Sequence, residues 1–290
     1  IIIPFHNRVS LLKKTLNSIL SNLDDDYEII LIDDGSTIDT YSILNHYIND
    51  KILYYKIKNS ERGFARNYGA IKSNGNYLNF FDSDDIAFPN HVSSFKQFIK
   101  INNNPIIFSN SYSINNIANN SEKKIILNGE LNKYIFKNNI LSCNSVFIER
   151  NFFLSNKFSN NINLSGSEDW DLWLRLANKE KIYGNRIISS ALNNHMDRST
   201  KKQDTSKIIL RLDELNKRIL DKNIINLNSK NLKSILSEIY SFKSLVLSPL
   251  LSKKKESISK LLHSILYRPS RLLELRTYII IKNILFKFIL

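Results

Sequence analysis

Apolar residues recur along the first half of the chain with two alternating periods. Ile1-Ile2-Ile3, closed by Pro4, reads as a buried strand. Leu12, Leu16, Ile19, Leu20 and Leu23 then share one face of a helix, with Ser10 placed to cap it. Residues 28–33 form a continuous apolar strand, as expected when both faces of a sheet are covered. A helical stretch over 41–48, a strand over 52–57, a helix over 65–73 and a strand over 77–81 follow. This alternation predicts an α/β fold built on a mostly parallel sheet. After Pro89, Val92, Phe95, Phe98 and Ile99 line one face of a further helix, and 105–109 reads as a strand. The Asn-rich stretch 115–121 reads as a loop, 145–148 as a short strand, and 170–177 as a helix with Trp170, Trp173, Leu174 and Ala177 inward. Beyond about Lys201 the pattern becomes helical and basic, so the chain divides into residues 1–204 and a C-terminal helical region, 205–290.

Composition changes this picture in two places. The single cysteine, Cys143, excludes an internal disulfide and a cysteine-based zinc site, and a reducing cytoplasm is the simplest setting. The net charge of +14 is unevenly spread: residues 205–290 hold 17 Lys and Arg against 6 Asp and Glu. The first two thirds are nearly balanced and do not make a nucleic-acid platform. No secretory signal is visible, and the opening directly in a strand without Met points to a few missing residues.

Polar clusters follow the predicted strands, where ligands bind in such sheets. Asp82-Ser83-Asp84 places two carboxylates at a strand end, the arrangement that can face Mg²⁺ or Mn²⁺ and a substrate phosphate. Asp85 adds charge that a cation would relieve. The plain alternative is a solvated acidic turn. In Asp33-Asp34-Gly35-Ser36 a turn is equally natural, and a carboxylate there can accept from a nucleobase or ribose. Residues 62–67 open a helix, where the charge of Arg66 opposes the dipole, which suggests an anionic or nucleobase partner; the plain alternative is an ordinary surface arginine. Glu168-Asp169-Trp170 begins another helix, near Ser165 or Ser167 as cap. A carboxylate there is either a helix-terminal residue or a general base. His195 lies in a polar segment and can complete a metal or phosphate site, or be structural.

Taken in order, Ile2-Ile3-Pro4-Phe5-His6-Asn7-Arg8, Ile32-Asp33-Asp34-Gly35-Ser36-Thr37, Gly63-Phe64-Ala65-Arg66-Asn67, Phe81-Asp82-Ser83-Asp84-Asp85 and Glu168-Asp169-Trp170-Asp171-Leu172-Trp173 resemble family 2 glycosyltransferases of the GT-A fold. The resemblance covers roughly residues 1–200. It implies a Rossmann-like α/β domain and an inverting transfer from a nucleotide-sugar, commonly a UDP-sugar, with Mn²⁺ or Mg²⁺. It also implies that Pro4 and Phe5 flank the nucleobase, that Asp34 contacts it, and that Arg66 assists base or phosphate binding. Asp82 and Asp84 form the D-x-D motif, with Asp84 the direct metal ligand. Asp169 is then the base. His195, within Asn194-His195-Met196-Asp197-Arg198-Ser199, resembles the family's late His beside diphosphate and metal, although Asn193-Asn194 replaces the usual aromatic-Arg pair. Neither a Q-x-x-R-W motif nor a transmembrane array is seen, which argues against a processive synthase.

The rivals are a nucleotidyltransferase, whose Gly-rich phosphate loop is lacking, a glycosidase, which needs no nucleotide pocket, and a non-catalytic membrane-binding protein. The last would explain the tail but not the ordered acidic motifs. Residues 278–290 are apolar but too short, and too interrupted by Lys, to span a bilayer, which needs roughly 20 residues. With Arg268, Arg271, Arg276 and Lys253-Lys254-Lys255 upstream, this segment either lies on an anionic membrane or packs on the catalytic domain. The first option places the enzyme peripherally on the cytoplasmic face, beside a lipid-linked glycan acceptor of bacterial surface-polysaccharide assembly.

Overall fold

The computed structural model describes residues 1–22, 24–116, 119–195 and 204–286. Leu23, the Met196–Ser199 part of the His195 segment, the boundary near Lys201 and the last residues of the tail lie outside the described residues. So do Ile117 and Ala118 of the Asn-rich stretch. Two units are distinguished: Ile1–Asn132 with Leu141–Lys201, and Lys133–Ile140 with Lys202–Leu290.

In the first unit, β1 (Ile2–Phe5), β2 (Ile29–Asp34) and β3 (Ile52–Ile57) form a parallel sheet in the order β1-β2-β3. Side chains alternate across a strand, so each apolar run supplies two faces. Ile3, Phe5, Ile29 and Leu31 join Leu12, Leu16 and Ile19 of helix α1 (Val9–Leu20) in one core. Burying each of these leucines and isoleucines contributes about 1.5–3 kcal/mol. On the other face, Ile2 and Ile32 meet helix α3 (Arg62–Lys72) at Gly69. A Cβ at Gly69 would stand 2.4 Å from the Ile2 side chain, so only glycine lets the helix sit this close. A short helix α2 (Thr40–Leu44) and a 3-10 turn, Asn45–Tyr47, fill the link from β2 to β3.

Strand β4 (Tyr77–Asn79) leads into Phe80, which bridges in parallel to Ile2 and brings the acidic turn beside the ends of β1 and β2. It also starts a second, mixed sheet. That sheet contains β5 (Ile86–Ala87), β6 (Ile107–Asn116), β7 (Ser121–Ile125), β8 (Gly129–Glu130), β9 (Val146–Glu149) and β10 (Ile182–Asn193). Its order is β4-β9-β6-β10-β5, with β7 on β6 and β8 on β10. Only β6 and β10 pair in parallel; the other pairs are antiparallel. The fold is therefore α/β with helix-flanked sheets, and its parallel pairing is concentrated in the nucleotide-type half. Helix α4 (His91–Ile101) follows the acidic turn, α5 (Asn132–Ile135) and α6 (Arg150–Leu154) are short, and α7 (Glu168–Ala177) precedes β10.

Two local expectations change, and one long strand was not expected. Ser10 does not cap α1: the helix begins at Val9 with Arg8 at the cap position, and no side chain caps it. The Asn-rich stretch is largely a hairpin, with Asn116 opposite Ser121 and Asn115 opposite Glu122. The long strand β10 gave no apolar alternation because its buried face is polar. There Asn110, Asn185, Ser94 and Ser189 hydrogen-bond one another. His91 joins them, with Nδ1 3.1 Å from Ser189 Oγ and Nε2 3.2 Å from Asn79 Oδ1. Burial pushes its imidazole down to about 4, so it is neutral at physiological pH.

The second unit holds α8 (Thr205–Leu220), α9 (Ser229–Leu247), α10 (Lys254–Tyr267) and α11 (Leu275–Phe286). Serines seven residues apart form the α9–α10 seam. Ser237 and Ser264 each donate a hydroxyl to the other's carbonyl at 2.8 Å, and Ser244 and Ser257 do the same at 2.8 and 2.9 Å. Such small side chains allow close antiparallel packing and satisfy themselves on the facing backbone. Arg271 is buried against Glu238 and Glu274, Arg268 pairs with Glu274, and Arg276 pairs with Glu238 at 2.6 Å. The three arginines counted as basic flank in the sequence are thus held in ion pairs within the unit.

Candidate active site

The turn after β2 divides its two aspartates by role. Asp33 is fully buried and accepts from Ser36 N at 2.7 Å, from Tyr54 Oη at 2.8 Å and from Thr40 Oγ1. Burial opposes its charge, but these donors outweigh it and leave the carboxyl below its ordinary range. Tyr54 is pushed up to about 12, by burial first. Asp34 lies at the strand end, and Ser60 holds its Oδ1 through backbone N at 2.8 Å and Oγ at 3.0 Å. Its carbonyl meets His6 Nδ1 and Asn59 Nδ2, both at 2.9 Å. Gly35 has φ +74°, and a Cβ there would lie 2.4 Å from Asn59 N, so the turn requires glycine. Pro4 and Phe5 are buried in β1; the exposed continuation of that strand is His6-Asn7.

In the acidic turn after β4, Asp82, Asp84 and Asp85 bring carboxylate oxygens within 4.8 Å of one another. Hard oxygen donors at this spacing fit Mg²⁺ or Mn²⁺. The three are not equivalent. Asp85 is fully buried and accepts from Asn144 Nδ2 at 3.1 Å and Asn193 N at 3.3 Å, while Asn193 Nδ2 donates to the Asp84 carbonyl at 2.9 Å. Asp85 therefore ties the end of β10 to the turn. Two residues later, His195 Nε2 lies 3.0 Å from Asp84 Oδ2. Arg8 Nη1 donates to the same oxygen at 3.1 Å. The arrangement brings together carboxylates and nitrogen groups that are 76 and 111 residues apart in sequence.

Arg66 lies one turn into α3, which begins at Arg62 rather than near Ala65, and its anionic partners are protein carboxylates. Its Nη2 donates to Asp82 Oδ1 at 2.7 Å and its Nη1 to Glu168 Oε1 at 3.0 Å. The guanidinium lies 5.2 Å from the Phe158 ring centre. Glu168 also accepts from Gly166 N at 2.6 Å. Burial opposes ionisation of Glu168, but Arg62 and Arg66 prevail and lower its pKa. Asp169, half-buried in the first turn of α7, accepts from Trp170 N at 2.7 Å. Burial pushes the Cys143 thiol well up; Arg66 pulls against this, while Asp169, Asp82 and Glu168 add to it. The Tyr112 phenol is raised by burial first and then by the charge of Asp169, which keeps it protonated.

Thus Arg66 is bonded to Asp82 and His195 to Asp84, the two carboxylates lie side by side, and Asp169 follows Glu168 in sequence. Asp34 and the end of β1 form a neighbouring group, joined to the first through the His6-Asn7-Arg8 turn. Sequence reasoning passed over Arg8, Glu168, Tyr112 and the Asp85–Asn193 tie. Arg8 and Glu168 stood inside quoted motifs, whereas Tyr112 and Asn193 lay in strands without an apolar signal.

Known proteins are similar to this chain in sequence and in fold. The profile of glycosyl transferase family 2 matches residues 1–160. An uncharacterised glycosyltransferase of Rickettsia bellii is 31% identical over 189 residues, 63% of this chain but 27% of that protein. The chain spans less than a third of the length of such Rickettsia relatives. An Escherichia coli UDP-Glc:alpha-D-GlcNAc-diphosphoundecaprenol beta-1,3-glucosyltransferase, WfaP, is 29% identical over 188 residues, 62% of this chain and 70% of that protein. The crystal structure of S. aureus TarS 1–349 in complex with UDP-GlcNAc superposes with a TM-score of 0.71 at 17% identity, covering 98% of this chain and 88% of that one. The fold is accordingly GT-A, and with more than half of its length matched to the family profile, the chain belongs to glycosyl transferase family 2.

Proposed function

We propose that residues 1–204 form an inverting, metal-dependent glycosyltransferase that moves a sugar from a UDP-sugar to an acceptor hydroxyl. The carrying observation is the convergence of Asp82, Asp84 and His195 beside the strand ends, with Asp34 at the adjoining turn. In this reading Asp34 and the strand end at Pro4-Phe5 frame the nucleoside. Asp82 and Asp84, with His195, hold Mn²⁺ or Mg²⁺, which when bound offsets charge on the leaving diphosphate. His195 ligates through Nε2 only with its proton on Nδ1. Arg66 sets the position of Asp82 and Glu168, and through them the donor site. Asp169 removes the acceptor proton as the hydroxyl oxygen bonds to the anomeric carbon and the sugar–phosphate bond breaks. One displacement inverts that carbon. The named activity of WfaP supports a UDP-sugar donor and a lipid-diphosphate-linked acceptor. Incubation with UDP-sugars and diphosphopolyprenol-linked glycans is expected to release UDP and give a product of inverted anomeric configuration. Release should cease with a chelator and return with Mn²⁺. Pyrophosphate as product would favour a nucleotidyltransferase, and turnover indifferent to chelation would overturn the metal assignment.

The second unit supports a peripheral position on the inner face of the cytoplasmic membrane. Among the described residues no helix is long and apolar enough to cross a membrane. Ile258, Leu262 and Leu266 nevertheless form an exposed stripe on α10, opposite the serine seam. Leu272, Leu273, Leu275 and Tyr278 extend the exposed apolar surface, with Leu273 91% accessible. Lys253 and Lys255 lie exposed near the start of that stripe. Apolar insertion and lysine attraction to anionic lipid act together on such a surface. The protein is expected to float with anionic liposomes at low salt, and the Leu262→Glu/Leu266→Glu/Leu273→Glu variant to remain in the dense fraction. Equal flotation of both would reject this face as the anchor.

A further inference from the structure

Two arginines contact the D-x-D pair, and they differ in exposure. Arg66 on Asp82 is anchored at both ends of its guanidinium and stacked on Phe158, with its side chain 2% accessible. Arg8 on Asp84 has a side chain 33% accessible. Its root is nonetheless fixed. Asn7 takes a left-handed φ of 54°, donates its N–H to Ser36 Oγ at 2.9 Å, and accepts from Thr37 N at 2.9 Å. Val9 on the other side is buried in the α1 core. A clamped backbone thus carries a long, solvent-reaching cation that rests on the carboxylate assigned to the metal.

Resting on the metal-dependent donor reading above, we propose that Arg8 is the counter-ion of Asp84 in the metal-free enzyme and becomes a diphosphate ligand when the donor binds. A divalent cation and a guanidinium cannot share Asp84 Oδ2 without strong repulsion, so cation entry must move Arg8 aside. A nucleoside diphosphate gives it a new partner, because a guanidinium matches phosphate oxygens in a two-bond fork. Cation alone therefore binds against Arg8, whereas cation with donor binds with it. This makes the two ligands mutually reinforcing, and such coupling is reciprocal, typically about 5–150-fold. It would also keep Asp84 neutralised between turnovers.

The test is Mn²⁺ binding followed by electron paramagnetic resonance, with and without UDP, together with UDP titration at saturating Mn²⁺. Arg8→Gln is expected to bind Mn²⁺ about tenfold more tightly than the native chain in the absence of nucleotide, and UDP about tenfold more weakly in its presence, the size of one charge-assisted hydrogen bond. Arg8→Lys keeps the charge without the fork, so it should retain weak nucleotide-free Mn²⁺ binding yet lose UDP affinity. Unchanged or weaker Mn²⁺ binding by nucleotide-free Arg8→Gln would overturn the proposal, as would native UDP affinity in both variants. Asp84→Ala serves as control and should lose Mn²⁺ binding. A native chain that binds neither Mn²⁺ nor UDP defeats the donor reading itself, an outcome distinct from failure at Arg8 alone.

Discussion

Asp169→Asn is expected to lower turnover by about 10²-fold or more while leaving UDP affinity close to native. General-base catalysis contributes typically about 10²–10⁴-fold, and the amide keeps the shape of the side chain without its ability to take a proton. Asp169 stands next in sequence to Glu168, the carboxylate that holds Arg66. Asp169 accepts from Trp170 N in its own helical turn. Its neighbour Glu168 holds Arg66, and Arg66 holds Asp82. On the proposed roles, Asp169→Asn takes away the base while Arg66 keeps its bonds to Asp82 and Glu168. Transfer rates at saturating acceptor, paired with calorimetric UDP titration, provide the measurement. A large loss of UDP binding with little change in turnover would place Asp169 on the donor side and refute its assignment as base.

How far the molecule could be read from its residues depended on whether chemistry and secondary structure coincided locally. The acidic turns were legible because each follows an apolar strand: Ile29–Asp34 is buried throughout, and Phe80-Phe81 precedes Asp82. The helix carrying Leu12, Leu16 and Ile19 was legible for the same reason. The second sheet was legible at 77–81, 105–109 and 145–148, but its long strand β10 was not. The sheet's interior is lined by Ser109, Asn110, Ser189 and Ser190, all fully buried, so the periodic apolar signal is absent where the strands are longest. Neither was the role of Asp85, which depends on Asn144 and Asn193, 59 and 108 residues away. Charge counting had a related blind spot. It registered Arg268, Arg271 and Arg276 as basic surface, whereas Glu238 and Glu274 meet them across turns of the fold. Net charge counts residues without their partners, and only tertiary structure supplies the partners.

Arg66→Met should lower the stability of the folded chain by about 3–5 kcal/mol, the range for removing one partner from a buried ion pair. Methionine replaces much of the buried stem, so the loss comes mainly from the carboxylates left behind. Glu168 is almost wholly buried, and Gly166 N would remain as its direct short-range donor, with Arg62 at 3.9 Å. Asp82 is less enclosed, its side chain being 22% accessible, and regains some water. The pH dependence identifies the cause. In the native chain the Glu168 carboxyl is held below its ordinary value: burial opposes the charge, but Arg62 and Arg66 prevail. It therefore contributes stability that is present above the unfolded pKa, about 4.3, and is lost as pH falls through the folded value. Without Arg66 the burial effect gains, the folded pKa rises, and the variant's deficit should shrink in acid, where Glu168 takes up a proton. Urea denaturation at pH 7 and pH 5 measures both effects. Adding Glu168→Gln to Arg66→Met should recover part of the loss at pH 7, because it removes the stranded charge. A deficit below about 1 kcal/mol, the level of an exposed ion pair, would mean that the link contributes little to folding. In that case Arg66 would act chiefly in positioning Asp82, and its variants would lose Mn²⁺ and UDP affinity while unfolding at the native urea midpoint.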